Sequence, residues 1–300
     1  MFRKIRRYAR NPYYALGYDM IKNCPRLMSD KFYLSVLWKM LMAYELDWKH
    51  PRTFNEKLQW LKLHDHNALY TTLVDKYRVK QWVADKIGSS SVIPTLAVYK
   101  SVEEIDLDQL PDRFVLKCNH DSGSVVICHD KATFDLEAAK HKLAAGLKHN
   151  FYWDAREWAY KQVKRLVFAE QYMEDVTMGS KDLLTYKFLC FDGTPYLMYV
   201  TVKGDEIWEN YYDMDFNPME IRRDFPTNPA VTRKPASFDR MKEVAAVLSE
   251  GLTHVRIDLY EVDGEVYFSE FTFYDWGGLM KFKPNEWDLR LGEMINLPIK

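Results

Sequence analysis

Three ionisable residues sit where a β-hairpin should be apolar. The stretch from Arg256 to Gly278, RIDLYEVDGEVYFSEFTFYDWGG, reads as strand, tight turn, strand and a glycine pair. Strand interiors disfavour Asp and Glu. Yet Asp258 and Glu270 lie in its two arms, with Arg256 beside the first. Two carboxylates side by side repel, and a divalent cation between them removes the repulsion. Oxygen ligands suit Mg²⁺, which keeps waters and substrate phosphates as its remaining ligands. The pair therefore predicts a metal site next to a phosphate-bearing substrate. The competing reading is an ion pair between Arg256 and Glu270, with Asp258 capping a neighbouring turn.

The turn at Val262, Asp263 and Gly264 decides whether the acids meet. A two-residue Asp-Gly turn pairs Val262 with Glu265, which sets Asp258 against Ser269 and sends Glu270 to the other face. A three-residue loop with Gly264 in the left-handed conformation pairs Glu261 with Glu265. Asp258 then opposes Phe268, Arg256 opposes Glu270, and all three ionisable residues share a face. The three-residue loop is the expectation.

A second polar stretch is RFVLKCNHDSGSVVICHD. A strand ending in Lys117 enters a loop holding His120, Asp121, Ser122, Gly123 and Ser124, then leaves into another strand. Small residues let backbone N–H groups approach an anion, and Lys117 adds a point charge for a phosphate. Strand–loop–strand order rules out a P-loop; the plain alternative is a polar hairpin loop. Lys187 lies inside the apolar strand LLTYKFLCFDG, where an unpaired buried ammonium is costly. It must reach an anion, or solvent at a sheet edge. VFAEQYMED places Glu170, Tyr172, Glu174 and Asp175 where the chain crosses between subregions. His129 and His254 read as structural histidines, because His120, His129 and His254 lack the spacing of a metal triad. Neither a G-x-S-x-G nucleophile motif nor a dinucleotide fingerprint is present.

The elements that must position these residues follow from periodicity. TFNEKLQWLKLHD reads as a helix with a Thr53–Glu56 capping box. A second helix is expected through LYTTLVDKYRVKQWVADKIG, stopping at Gly88. From Val92 short β-branched and aromatic runs take over. They are interleaved with helices at FDLEAAKHKLAAGLKHN, WDAREWAYKQVKR and SFDRMKEVAAVLSEGL, the last with Ser237 or Asp239 near its cap. The reading is a mainly helical region over 1–91, an α+β lobe over 92–169 carrying the phosphate loop, and an α+β lobe over 170–300 carrying the hairpin.

The 300 residues suffice for a sizeable core, and 47% hydrophobic content excludes a disordered chain. Forty-two basic against 43 acidic residues leave a net charge of -1, so no global field points to nucleic acid. Arg3, Lys4, Arg6, Arg7 and Arg10 nevertheless crowd the start, interleaved with Phe2, Ile5 and Tyr8. Residues 1–16 read either as a solvated helix start or as an element resting on anionic lipid. No run is long and apolar enough to be a transmembrane helix, and no signal-peptide block is seen. The four cysteines form no C-x-x-C pair, which suits a reducing cytoplasm. The expected location is cytoplasmic, with the inner membrane face as an extension.

Taken together, TFNEKLQWLKL, VDKYRVK, FVLKCNHDSG, YKFLCFDG and RIDLY…FSEFTFY resemble the ATP-grasp superfamily. Over roughly residues 50–285 they are similar to its TupA-like branch, named for teichuronopeptide biosynthesis and found with bacterial surface-polysaccharide genes. The resemblance implies two α+β lobes gripping ATP. Lys117 and Lys187 would contact its phosphates, under a covering loop of His120, Ser122, Gly123 and Ser124. Glu170 and the backbone near Tyr172 would hold adenine, with Glu174 or Asp175 near the ribose. Asp258 and Glu270 would hold Mg²⁺, and Arg256 would steady the transferred phosphoryl group. Thr272 stands where the superfamily usually has Asn, so a hydroxyl or a water would complete the metal shell. Asp121 and Thr185 replace a usual Gly and Asp.

Such enzymes join a carboxylate to an amine through an acyl phosphate. The implied partners are ATP, an amino acid or amine, and a sugar acid, as in a uronic acid of a capsule or lipopolysaccharide precursor. Arg52, Asn55, Lys57, Arg222 and Arg223, with residues 1–50, are expected on the acceptor side by charge and position. A sugar phosphotransferase, a glycosyltransferase using a nucleotide sugar and a non-catalytic nucleotide-binding protein are the alternative readings.

Overall fold

The computed structural model describes Gly17, Ile21 and residues 25–175, 183–203 and 206–298. The basic segment 1–16 lies outside the described residues. Helices come first: α1 (Asp30–Met42), α2 (Phe54–His64), α3 (Ala68–Leu73) and α4 (Val79–Ile87). The capping box that opens α2 is formed by Thr53 and Glu56. The expected single helix over 69–88 is broken. Asp75 accepts from the amides of Tyr77 and Arg78 at 3.1 and 3.0 Å, a local side-chain turn that competes with helix. The Lys76 amide meanwhile donates to the Asn119 carbonyl at 2.9 Å.

A first sheet contains β1 (Thr95–Tyr99), β2 (Phe114–Cys118), β3 (Val125–Cys128) and, after α5 (Leu136–Lys148) and α6 (Tyr152–Ala155), β4 (Val167–Gln171). Its order is β1-β4-β2-β3, all antiparallel. Ala139 and Leu143 of α5 are buried, and Leu143 joins the core with Phe114, Leu116, Val167 and Ala169. The helix expected over 153–165 does not form. Arg156 takes a left-handed conformation (φ 54°) that ends α6, and only a 3-10 turn (Trp158–Tyr160) follows.

A second sheet is built from β5 (Thr185–Phe191), β6 (Thr194–Lys203), β7 (Ile207–Tyr212) and, after α7 (Phe238–Ser249), β8 (His254–Val262) and β9 (Glu265–Thr272). Its order is β7-β6-β5-β8-β9. Val255, Ile257 and Leu259 alternate onto one face of β8 and share a core with Met241, Val244 and Leu248 of α7. The other face carries Arg256 and Asp258. Helix α8 (Glu286–Glu293) closes the described chain against α2, where an added Cβ at Gly292 would stand 2.2 Å from the Arg52 carbonyl oxygen.

The β8–β9 hairpin corrects the expected loop. Val262 pairs with Glu265 across a two-residue turn, with Asp263 and Gly264 at φ 52° and 83°. That is the turn Asp-Gly favours, because its twist matches the strands. Such a turn alone would have separated the acids. A bulge restores them: Leu259 pairs with Phe268 but Asp258 pairs with Glu270, leaving Ser269 as the extra residue. Asp258 therefore opposes Glu270 rather than Phe268, and Arg256 opposes Thr272 rather than Glu270.

Candidate active site

Strand register lines up one row across the whole second sheet. Tyr211 pairs with Tyr199, Tyr199 with Lys187, Lys187 with Asp258 and Asp258 with Glu270. Lys187 is therefore on a central strand, not a sheet edge. Its Nζ reaches Thr201 Oγ1 at 3.3 Å and lies 5.4 Å from the centre of the Tyr199 ring. Burial lowers the Lys187 pKa, and Asp258 opposes that shift.

Arg256 collects the acids. Its Nε and Nη2 hold the two oxygens of Asp258 at 2.6 and 2.7 Å, and Nη2 also reaches Glu270 Oε1 at 3.1 Å. Nη1 donates to Asp275 Oδ1 at 2.6 Å and to the Tyr199 hydroxyl at 3.1 Å. Asp275 in turn takes Arg223 Nη1 at 2.6 Å, and Arg223 pairs with Glu209, Nε to Oε1 at 3.0 Å. Arg223 and Arg256 hold the Asp275 carboxyl far below the usual carboxylate range, against its burial. Burial pushes Asp258 up, to about 6, although Arg256 pulls it down; the Glu270 charge adds to the rise. Glu270 moves the other way, to about 2, because Lys76 and Arg256 outweigh its burial.

On the first sheet Glu170 is gripped by two lysines, Lys80 at 2.6 Å and Lys117 at 2.5 Å. They outweigh its burial and lower its pKa. Lys80 also donates to the Ile93 carbonyl and Thr95 Oγ1. In the loop after β2, Ser122 and Gly123 are exposed and Ser124 is buried, bonded to the Asp121 carboxylate. The His120 ring is buried and faces α5, with Nε2 at 3.2 and 2.9 Å from the carbonyls of Gly146 and His149. It braces the loop rather than lining its open side. Tyr172 lies edge-on to His129 with Arg113 above it, and Arg113 pairs with Glu174. Asp175 is buried.

Lys76 joins the two halves. Its Nζ lies 2.9 Å from the Asp121 carbonyl of the loop and 2.9 Å from Glu270 Oε2. The loop and the acid pair are thus neighbours across one ammonium. The sequence of the chain matches the profile described as TupA-like ATP-grasp over residues 56–296. The chain belongs to the TupA-like ATP-grasp family.

Its antiparallel sheets and helices have the ATP-grasp fold. The structure is similar to D-alanine–D-alanine ligase from Bacillus anthracis, at 17% identity and TM-score 0.42, covering 71% of this chain and 62% of that one. It is similar to L-amino acid ligase from Bacillus licheniformis at 14% and 0.44, covering 85% and 57%. A third likeness is to the ATP-grasp ligase PsnB complexed with a minimal precursor, Mg and ADP, at 9% and 0.38, covering 73% and 57%. This chain therefore spans about three fifths of the length of those proteins. No curated protein matches.

Two hard oxygen donors on one face suit Mg²⁺, whose shell phosphates and waters complete. Asp258 and Glu270 are such donors, but Arg256 and Lys76 hold all four of their oxygens, so a cation would have to displace those contacts; Thr272 shares their face two residues along the strand. Among the described residues no group of three or more His, Cys, Asp and Glu could hold a metal. Other expected residues fall elsewhere. The Asn55 amide side chain binds the Met280 carbonyl and Asp288, and Lys57 binds the carbonyls of Gly292 and Ile295. Both fasten α2 to the C-terminal segment. Arg222 lines a separate cavity of about 480 Å³ with Glu220 and Lys283, whereas Arg223 reaches the site. His254 is structural: its Nδ1 lies 2.9 Å from the Cys190 carbonyl and its ring stacks on Phe191. Sequence reasoning missed Lys76, Lys80, Tyr199, Glu209 and Asp275. The two lysines lie inside VDKYRVK, where their four-residue spacing was the available signal.

Proposed function

We propose that the protein is an ATP- and Mg²⁺-dependent carboxylate–amine ligase that works through an acyl phosphate. The observation that carries this reading is the Lys187–Asp258–Glu270 row, set beside the loop through Lys76. Phosphoryl transfer needs positioning and positive charge where the γ-phosphoryl group leaves. Lys117 and Lys187 are assigned to phosphate oxygens: Lys117 would exchange Glu170 for them, and Lys187, whose ammonium reaches only the Thr201 hydroxyl among the described residues, would gain an anionic partner. Arg256, fixed by Asp275 and Asp258, presents a preorganised guanidinium at no reorganisation cost. Glu170 and the chain near Tyr172 are assigned to adenine, Asp175 to the ribose side. Mg²⁺, held by Asp258 and Glu270 with Thr272 nearby, would neutralise phosphate charge.

The acceptor is proposed to be a sugar acid, a uronic-acid carboxyl of a bacterial surface-polysaccharide precursor, amidated by an amino acid or other amine. That choice rests on the resemblance to the teichuronopeptide branch. The test is a product assay with MgATP, a uronic-acid panel and an amino-acid panel, read by mass. ADP and phosphate that form only when acid and amine are both present support the ligase. A phosphorylated sugar formed without an amine makes the protein a phosphotransferase instead. Binding of a nucleotide sugar and not of ATP makes it a glycosyltransferase.

A further inference from the structure

Glu157 is a buried carboxylate that none of the contacts above uses. It follows α6 in the stretch WDAREWAYKQVKR and is 6% exposed. Its backbone carbonyl accepts from the Tyr160 amide at 3.1 Å. Among the described residues none donates a hydrogen bond to its carboxylate; only charges at longer range act on it, those of Lys62, Asp154, Arg256 and Asp275. Its Oε1 stands 3.5 Å from the point where a side chain at Gly277 would begin, two residues after Asp275. Tyr160, also buried, is within electrostatic reach of Glu157, Glu270 and Arg256 together. Glu157 thus stands beside the backbone that carries Asp275, whose carboxylate holds the Arg256 that binds the acid pair.

Among the described residues, the ammonium that acts on Glu157 is committed elsewhere. Lys62, buried in α2, donates to the Gly277 carbonyl at 2.7 Å and to Gln59 Oε1 at 2.9 Å. It fixes the backbone that carries Asp275 and leaves the carboxylate without a donor. Burial pushes the Glu157 carboxyl up, to about 7, while Lys62 pulls it back. A mostly buried carboxylate with no donor among the described residues gains from a ligand that donates to it.

We infer that Glu157 is the docking point for the ammonium group of the amine substrate and takes a proton from it. This role deepens the ligase reading above and rests on it. The amine arrives as R–NH₃⁺ and one proton passes to the Glu157 carboxylate. The nitrogen lone pair forms the bond to the acyl carbon, and the carbon–oxygen bond to the phosphoryl group breaks. The second proton leaves with the phosphate as HPO₄²⁻, and the amide nitrogen keeps one.

Hydroxylamine separates the roles, because it is largely unprotonated near neutral pH and needs neither an ammonium pocket nor a base. Wild type and Glu157→Gln are compared with MgATP and glucuronate or galacturonate, using L-amino acids or hydroxylamine as nucleophile. The variant should lose at least about 100-fold in kcat/KM for the amino acid. Its hydroxamate formation should stay within about threefold of wild type, since acyl-phosphate formation does not use Glu157. Equal losses with both nucleophiles would make Glu157 structural and overturn the assignment, as would wild-type rates with amino acids. If Glu157→Gln melts near the assay temperature, Glu157→Asp decides by the same comparison, because it keeps the charge facing Lys62. A wild type that releases no ADP with any acid and nucleophile overturns the ligase reading itself, independently of any variant.

Discussion

Replacing Asp275 by Asn tests whether the buried charges act as one unit. Asp275 is 2% exposed, and both its oxygens are used: Oδ1 by Arg256 at 2.6 Å and Tyr199 at 2.8 Å, Oδ2 by Arg223 at 2.6 Å. The amide keeps the shape but removes the charge and turns one acceptor into a donor facing a guanidinium. Removing one partner of a buried pair costs about 3–5 kcal/mol. Arg223 retains Glu209, and Arg256 retains Asp258 and Glu270, so the expected loss is near the lower bound, about 3 kcal/mol. Urea unfolding followed by tryptophan fluorescence measures it. Arg223→Met in the same chain rebalances the charge, so the double variant should be more stable than the summed losses by at least about 1 kcal/mol. A loss below about 1 kcal/mol for Asp275→Asn, or strict additivity in the double variant, would refute the reasoning.

Three further outcomes are expected. Lys187→Met should lower kcat for ADP release about 100-fold, because a preorganised charge aimed at the leaving phosphoryl group is lost; a change confined to KM would place Lys187 in ground-state binding. Gly146→Ala puts a Cβ 2.2 Å from Ser124 Oγ. The loop after β2 must shift, and if it covers the ATP phosphates as proposed, calorimetric titration with a non-hydrolysable ATP analogue should show about tenfold weaker binding, ~1.4 kcal/mol. His254 is buried, and burial drives its pKa down to about 4. The unfolded chain takes up that proton first, so the His254 contribution is complete above the unfolded value of about 6.5 and is lost as pH falls towards 4, about 3 kcal/mol in all. Because Asp258 and Glu157 also titrate in this window, the check is the difference: between those limits wild type should lose about 3 kcal/mol more stability than His254→Phe as pH falls.

The sequence displays what is local. Thr53 with Glu56 announces the start of α2, and alternation in β8 separates Val255, Ile257 and Leu259 from Arg256 and Asp258. Contacts made at a distance left no such trace. The apolar pattern runs unbroken over 69–88, yet the Asp75 turn and the Lys76–Asn119 bond interrupt the helix. Arg223 and Asp275 lie 52 residues apart, with Arg223 outside any helix or strand, so no spacing rule joins them. The acid pair was legible, but its register was not. Asp-Gly specifies the turn, whereas nothing about Ser269 in YFSEF marks it as the bulged residue.

That bulge uncouples the tip of the hairpin from its chemistry. Register is reset between Leu259 and Asp258, so the pairing of Asp258 with Glu270 absorbs one surplus residue rather than following from the turn alone. For protein engineering, the β8–β9 tip becomes an attachment point. Asp263 and Gly264 are exposed, and an even-numbered extension of both arms there would carry a tag or a fluorophore while leaving the two carboxylates opposed. Excising Ser269 alone would remove the surplus residue and leave a regular ladder, with Asp258 still opposite Glu270.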